Sequence, residues 1–441
     1  MKIAVVGSGI SGLGCAWSLG RHHDVTLYEA DRRVGGHAHT VNVSDGSHST
    51  PVDVGFIVYN EHNYPNLVSL FDWLGVRTEK SDMSFGVSLN SGALEYEGSP
   101  LGLLAQPTNL LRGRYRGMLR GIFRFFAEAE TLLDEPEADG ISLGDYLACE
   151  GYSKGFVFDH ILPMGAAIWS ASFEEILAFP ASAFVRFFKN HALLDPGARP
   201  AWRTVSGGSR QYVDRLVEYF RGNLRTGEPV HGIERHGEKL SIGTGSIREP
   251  FDAIVLASHA DQSLEILGDG ATDRQRGILS AFQYRGNKGV LHRDPSLMPR
   301  RRRAWASWNY ISDGPIESDS TVFVTYWMNR LQNIETPKNI FVSLNPTRDI
   351  DANSVIGEFD YMHPQFDRDA IDAQKRLHEI QGEGGVWFCG SYCGNGFHED
   401  GLQSGLEVAA ALGAPAPWRE DIVPISPARS VVRPEIAEAA E

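Results

Sequence analysis

Lys2-Ile-Ala-Val-Val6 runs directly into Gly7-Ser-Gly9-Ile10-Ser11-Gly12, then into Leu13-Gly-Cys-Ala-Trp-Ser-Leu19, Asp24-Val-Thr-Leu-Tyr28 and Glu29. The first run is apolar and β-branched, the pattern of a strand buried on both faces. Residues after Gly12 have helical spacing, and Asp24–Tyr28 reads as a second strand. Strand, glycine turn, helix, strand and acid thus follow in order. Gly7 permits the tight turn, Gly9 lets backbone approach a pyrophosphate, and Gly12 lets helix pack on strand. The helix start at Ile10 and Ser11 offers free N–H groups and a positive dipole end to phosphates. Glu29, next to Ala30, stands where an acid takes ribose hydroxyls. The stretch predicts a dinucleotide-binding unit.

With 441 residues the chain exceeds one simple core, and two domains are expected. A net charge of −15 argues against a nucleic-acid-binding footprint. Four cysteines (Cys15, Cys149, Cys389, Cys393) give no disulfide framework, which suits a reducing cytosol. Cys389 and Cys393 lack partners at zinc-site spacing and read as packing residues, so no metal is expected. No apolar run reaches the roughly 18 residues of a membrane span. The short apolar start belongs to a strand rather than to a signal peptide. A cytoplasmic location is expected.

Beyond Glu29, two adjacent glycines bring backbone close to something. Glu29-x5-Gly35-Gly36-x3-Thr40 resembles the second fingerprint of FAD-dependent amine oxidases and phytoene desaturases. Those families usually carry Arg after the glycine pair; here His37 stands there. His39 has two readings, a covalent flavin attachment point or a hydrogen-bonding loop residue, with the second favoured. Val52-Asp53-Val-Gly55-Phe56-Ile-Val-Tyr59 resembles the segment that passes beside the flavin ring, which would put Gly55, Phe56 and Tyr59 near it. Asn66–Leu74 reads as helix. Further on, the Gly207-Gly208 turn and Leu224–Val230 resemble the return to the cofactor, with Val230 at the adenine. The strand ending Ala257-Ser258-His259 carries His in the usual Pro position. Gly390 ends the last parallel strand, and Ser391 stands where relatives carry an acid. A helix beginning near Gly401 and Leu402 would aim its N–H groups at the flavin N1–C2=O.

These marks imply a Rossmann-type FAD-binding domain of the glutathione reductase and p-hydroxybenzoate hydroxylase-like class. An inserted α+β substrate domain makes it discontinuous. The boundaries expected are 1–60, 201–280 and 381–413 for FAD, 61–200 and 281–380 for substrate, and a flexible tail at 414–441. The Phe397-His398-Glu399-Asp-Gly-Leu-x-Ser-Gly405 ending is similar to a bacterial "NAD/FAD-binding, amine oxidase-like" group. Members of that group often accompany cyclopropane-fatty-acid-synthase-like enzymes. This resemblance implies an acyl-lipid substrate and a lipid methyltransferase partner.

In the insert regions, Leu111, Tyr115, Met118, Leu119, Ile122, Phe125 and Phe126 share an apolar helical face, while Arg112, Arg116, Arg120 and Arg124 recur on another. Such a basic amphipathic helix either lies on an anionic membrane surface or presents a solvated face. Ile161–Trp169, with Phe179, Phe184, Phe187 and Phe188, is either a greasy pocket or ordinary core. Three strand-like runs at 304–310, 321–327 and 340–344 predict an antiparallel sheet forming a pocket wall. Arg300–Arg303 reads as a solvated loop, with contact to an anionic partner as the alternative.

For chemistry, hydride transfer to flavin needs orientation and a dry pocket more than a dedicated acid or base. His398, Glu399, Tyr59 and Lys288 are the catalytic candidates. The favoured activity is desaturation or oxidation of an acyl chain. Flavin amine oxidation and a non-redox role, as an isomerase or partner subunit, are the alternatives.

Overall fold

The opening run becomes the central strand of a five-stranded parallel sheet. Its strands are β1 (Lys2–Val6), β2 (Asp24–Glu29), β3 (Asn223–Thr226), β4 (Ala253–Leu256) and β5 (Val386–Phe388), in the order β3-β2-β1-β4-β5. Every pairing is parallel. Ile3, Ala4 and Val5 are fully buried, as a strand covered on both faces requires. The computed structural model describes residues 1–418, except 47, 136–139, 196, 198–199, 238, 245–246 and 315–322.

Four helices position the site: α1 (Ile10–Leu19), α2 (Pro65–Leu74), α3 (Gly113–Glu128) and α4 (His398–Ala411). All ten residues of α1 are buried. α1 and α4 pack through glycine. A Cβ on Gly14 would lie 2.5 Å from Leu402 Cδ1, and one on Gly405 would lie 2.2 Å from the Ser11 carbonyl oxygen. Small residues here are therefore a packing requirement.

The insert regions build a seven-stranded sheet, ordered 355–364, 284–292, 341–344, 324–327, 308–311, 85–89 and 94–97. All its pairings are antiparallel except 308–311 with 85–89. The helices from α3 to Asn190 cover part of it with a large apolar core that includes Phe125, Phe156, Phe184 and Phe188. This is the expected α/β class, a Rossmann-type sheet beside a second α+β layer.

The Arg300–Arg303 run is exposed, as a solvated loop should be, but it is also anchored. The fully buried Glu95 accepts from Arg300 N at 2.6 Å, Arg301 N at 3.0 Å and Arg301 Nη1 at 2.8 Å. A sequence run of like charge gave no sign of that distant carboxylate. The supposed tail also starts later. Ser18 Oγ donates to the Ala414 carbonyl at 2.8 Å, and Trp418 stacks on Trp17 with centroids 5.5 Å apart. Residues 419–441 lie outside the described residues. No described helix is long and apolar enough to cross a membrane.

Candidate active site

One cavity of about 690 Å³ begins at the carboxyl ends of β1 and β2 and reaches the seven-stranded sheet. That start is where open α/β sheets bind ligands. Tyr28, Glu29, Ala30, Glu228, Pro229 and Val230 line one part, and Gly7, Gly9, Ile10, Ser11, Gly36 and His37 another. Gly55, Phe56, Ala257, Gly390, Ser391 and His398 line it further on. The wall beyond is a sheet face. Trp308, Tyr326, Val342, Leu344 and Gly289 line it together with Tyr361 and His363 of the edge strand.

The glycine turn is built for a close ligand. Leu13 N is the first amide of α1 to reach back to Gly9 O, and Gly9 supplies no side-chain cap. The earlier N–H groups of the helix are left for a ligand. A Cβ on Gly9 would meet nothing within 4 Å, so this glycine faces open space. Gly7 and Gly12 do the reverse. Their Cβ atoms would lie 2.8 Å from Ala257 O and 1.8 Å from Gly7 O. Glu29 is oriented by Ser8, whose N donates at 2.8 Å and whose Oγ donates at 2.5 Å to Oε2. Its carboxylate oxygens keep lone pairs for ribose hydroxyls.

Several nominated residues serve the site without lining it. Gly12 is a helix–strand contact. Gly35, at φ +111°, turns the chain beside Val213. Thr40 Oγ1 donates to Asp53 Oδ1 at 2.5 Å and accepts from Arg210 N at 3.0 Å. Asp53, fully buried, also accepts from Ser209 N and Oγ and from Gln332 Nε2 at 2.8 Å. It thereby ties three distant segments behind the cavity. Helix α4 starts at His398, one turn before the expected Gly401, because Asp400 Oδ2 accepts from Phe397 N at 2.9 Å. Gly401 N consequently donates to Phe397 O, and Leu402 is a buried packing residue against Gly14. The first N–H groups of this helix are those of His398 and Glu399 instead.

Of the four catalytic candidates, only His398 lines the cavity. Its ring stacks on Phe56 at 3.7 Å and 9°, and its Nε2 lies 2.7 Å from the Tyr212 hydroxyl. Burial pushes its pKa down to about 3, so it stays neutral. Glu399 turns away and binds the start of α2. Tyr59 is a core residue, edge-on to Tyr64 and Phe71. Lys288 pairs with Glu358 at 2.9 Å on the exposed side of its strand. Its neighbour Gly289 faces the cavity, and successive strand residues point to opposite faces. His39 does not line the cavity either, and its Nδ1 lies 3.2 Å from the Tyr361 hydroxyl, the loop reading.

The structure adds His363 to the two histidines, His37 and His259, that the motifs singled out. His37, His259 and His363 all line the cavity, with His37 5.7 Å from His363 and 6.4 Å from His259, centroid to centroid. Burial, then the neighbouring imidazoles His363 and His259, hold His37 well below the ordinary histidine range. Burial likewise takes His363 down to about 4. These rings are neutral hydrogen-bonding groups rather than cations. Arg33 stands behind the loop, donating to Gly36 O at 2.7 Å and Ala38 O at 3.1 Å. No group of described histidines, cysteines and acids has the arrangement of a metal site.

Residues 10–290 match the model of the flavin containing amine oxidoreductase family. The chain belongs to that family. The flavin-dependent L-tryptophan oxidase of Lentzea aerocolonigenes is 24% identical over 261 residues, 55% of this chain and 54% of that protein. The match thus spans about half the length of that relative. Two solved structures share the fold. The CLA-producing fatty acid isomerase of P. acnes has a TM-score of 0.67 at 15% identity, covering 92% of this chain and 97% of the other. Cyclohexylamine oxidase of Brevibacterium oxydans IH-35A has a TM-score of 0.66 at 15% identity, covering 93% and 98%.

As a flavin containing amine oxidoreductase, the chain has FAD as its cofactor. The cavity residues fit it. Glu29 and the Val230 segment suit the adenosine end, and the open Gly9 with the uncapped start of α1 suits the pyrophosphate. The start of α4 offers donors at the flavin end.

Proposed function

We propose that this chain is an FAD-dependent oxidoreductase that takes a hydride from a carbon of an apolar substrate, a fatty-acyl or related lipid chain. The lining of the cavity beyond His398 carries this reading. Val54, Ile57, Val58, Met83, Ile168 and Val342 make it an apolar slot, and no described lysine or arginine lines any part of the cavity. Its lining carboxylates, Glu29, Glu228 and Glu265, all come from the segments that form the nucleotide half. An ammonium or amino-acid substrate would enter that slot with its charge unpaired, at a cost of several kcal/mol in order of magnitude. FAD, when bound, supplies the hydride acceptor. The chain's residues position the substrate and exclude water, and the neutral histidines stand along the way.

The family match and the tryptophan oxidase relative favour a second reading, amine oxidation. The fatty acid isomerase of similar fold supports a third, movement of a double bond without net oxidation. Anaerobic mixing separates the three. The acyl lipid is expected to bleach the flavin absorbance, and mass spectrometry is expected to find an acyl chain two hydrogens lighter. Bleaching by L-tryptophan or cyclohexylamine alone would replace the first reading by the second. An acyl chain of unchanged mass with a shifted double bond would replace it by the third.

One buried polar atom of a slot residue gives a further prediction. The Trp308 indole Nε1 is buried and has no hydrogen-bond partner among the described residues, and Trp308 stands edge-on to Tyr326 at 5.1 Å. A buried donor left alone costs about 1–3 kcal/mol. The nitrogen is closed off from the cavity by protein atoms, so the cost falls on the folded chain itself. Trp308→Phe is expected to make the substrate-free protein more stable to urea by about 1 kcal/mol. An unchanged or lower urea midpoint would show that the indole N–H is not left alone in solution.

A further inference from the structure

The exposed apolar side chains of this molecule are concentrated. Leu101, Leu104, Leu110, Leu111 and Phe123 all lie in the turns leading into α3 or on α3 itself. Leu101 is 83% exposed, Leu111 80% and Phe123 66%. Helical spacing puts Phe123 on the same face as Arg116 and Arg120, seven and three residues earlier. The leading turns are held against that helix. Arg116 Nη1 donates to Leu110 O at 3.0 Å and Leu111 O at 3.2 Å, and the Tyr115 hydroxyl donates to Leu103 O at 2.9 Å. The apolar and cationic groups therefore form one surface.

Charge on this surface is left uncompensated. Arg114 is paired with Asp159 at 2.6 Å, and Arg124 with Glu128 and Glu150. Arg112, Arg116 and Arg120 have no carboxylate within ion-pair distance among the described residues. They donate instead to the backbone carbonyls of Ala93, Leu110, Leu111 and Arg116. Three guanidinium groups without a described carboxylate partner stand out in a chain of net charge −15. Most of that negative charge is screened beyond about 8 Å at physiological salt, so the local patch decides which face meets a charged surface.

We propose that this surface docks on an anionic lipid bilayer, with Leu101, Leu111 and Phe123 entering the headgroup boundary and Arg112, Arg116 and Arg120 meeting lipid phosphates. Apolar residues flanked by arginine are what interfacial binding requires, since each set alone holds weakly. An acidic soluble protein would match the arginines, but it gives no reason for leucine and phenylalanine to stand in water. The inference does not depend on the substrate, because lipid binding is read without turnover.

The test is co-sedimentation of the FAD-loaded full chain with vesicles of phosphatidylglycerol and phosphatidylcholine, or of phosphatidylcholine alone. Binding is expected to the anionic vesicles only and to weaken as salt rises. Replacing Arg112, Arg116 and Arg120 together by serine is expected to weaken it about 100-fold, near fivefold per arginine. L111S with F123S is expected to weaken it at least about tenfold. These positions are exposed, and unchanged flavin content checks that the variants fold. Absence of binding to anionic vesicles at low salt would overturn the proposal, as would binding that ignores both sets of substitutions. Binding that falls with the arginines but not with Leu111 and Phe123 would also overturn it, in favour of a purely charged partner.

Discussion

Gly12→Ala is expected to yield an unstable protein nearly free of flavin, whereas Gly9→Ala yields a stable one that is also nearly free of flavin. The two glycines are three residues apart in one turn, yet their surroundings differ. A Cβ at Gly12 falls 1.8 Å from the Gly7 carbonyl oxygen and 3.0 Å from Ala257 Cβ, residues that directly follow the central strands β1 and β4. No flexible side chain can yield there, so α1 must move off the sheet. Overpacking a core usually costs about 1–3 kcal/mol, and contact with backbone belongs at the upper end. Gly9 sits at φ −64° and ψ 178°, a conformation open to alanine, and its Cβ meets nothing. Its apoprotein is expected to match or slightly exceed the wild type in urea, because alanine narrows the unfolded ensemble by up to about 1 kcal/mol. The added methyl does occupy the space over the first N–H groups of α1. Flavin retention after purification is expected to fall at least about tenfold in both variants. Urea midpoints of the flavin-stripped proteins should separate them. Full flavin content in Gly9→Ala would mean that the pyrophosphate does not cross this helix start.

Local rules made the turn legible. A glycine that must turn, one that must admit a ligand and one that must touch a strand are each specified within a few residues, so Gly7, Gly9, Gly12 and Glu29 could be named in advance. What needed the folded chain was parity and distance. Lys288 and Gly289 are adjacent, and only the register of the strand at 284–292 decides that the glycine faces the cavity. Tyr361 and His363 line the cavity from a strand whose residues include Glu358, Asp360 and Met362. Their signal was present, since Phe359, Tyr361 and His363 stand two residues apart and share one face. Nothing in the sequence marked that face as the inner one. His37 and His259 were noticed as departures from relatives, but their meeting with His363 depends on three segments far apart in the chain. Asp53 was quoted as part of a motif, while its role in joining Thr40, Ser209 and Gln332 is a tertiary fact.

Glu399 shows the same limit with an energetic consequence. It is 6% exposed, and it accepts from Asn66 N at 2.9 Å, Asn66 Nδ2 at 2.7 Å and Leu67 N at 2.9 Å. Helix α2 begins with Tyr64 and Pro65 and has no side-chain cap of its own. Glu399 supplies that cap from the first turn of α4, joining two helix starts beside the cavity. Burial nevertheless dominates its ionisation and raises its pKa from 4.5 to about 7, with Asp400 pushing the same way and the Asn66 and Leu67 donors pulling down. The folded protein therefore holds a proton that the unfolded chain has released between about pH 4.5 and 7. This group's contribution is complete below the unfolded pKa and is lost as pH rises through the folded one. The shift corresponds to about 3 kcal/mol. Asp53, raised by burial to about 6, adds a slope of the same sign at slightly lower pH. The buried neutral histidines His37, His363 and His398 give the opposite slope, because the unfolded chain takes up their protons as pH falls toward 5. The Glu399 share is therefore read as a difference between two proteins in urea at pH 5 and pH 7.5. Relative to wild type, Glu399→Gln is expected to fare better at pH 7.5 than at pH 5 by roughly the Glu399 share, with the Asp53 and histidine shares left in place. It should also cost about 1–3 kcal/mol at pH 5, because the amide nitrogen turns a donor toward the donors of α2. A variant with the wild-type pH dependence would leave Glu399 no share in it. A variant that loses the Glu399 share and also loses flavin would show that the joint between α2 and α4 holds His398 and Phe56 in place for the cofactor.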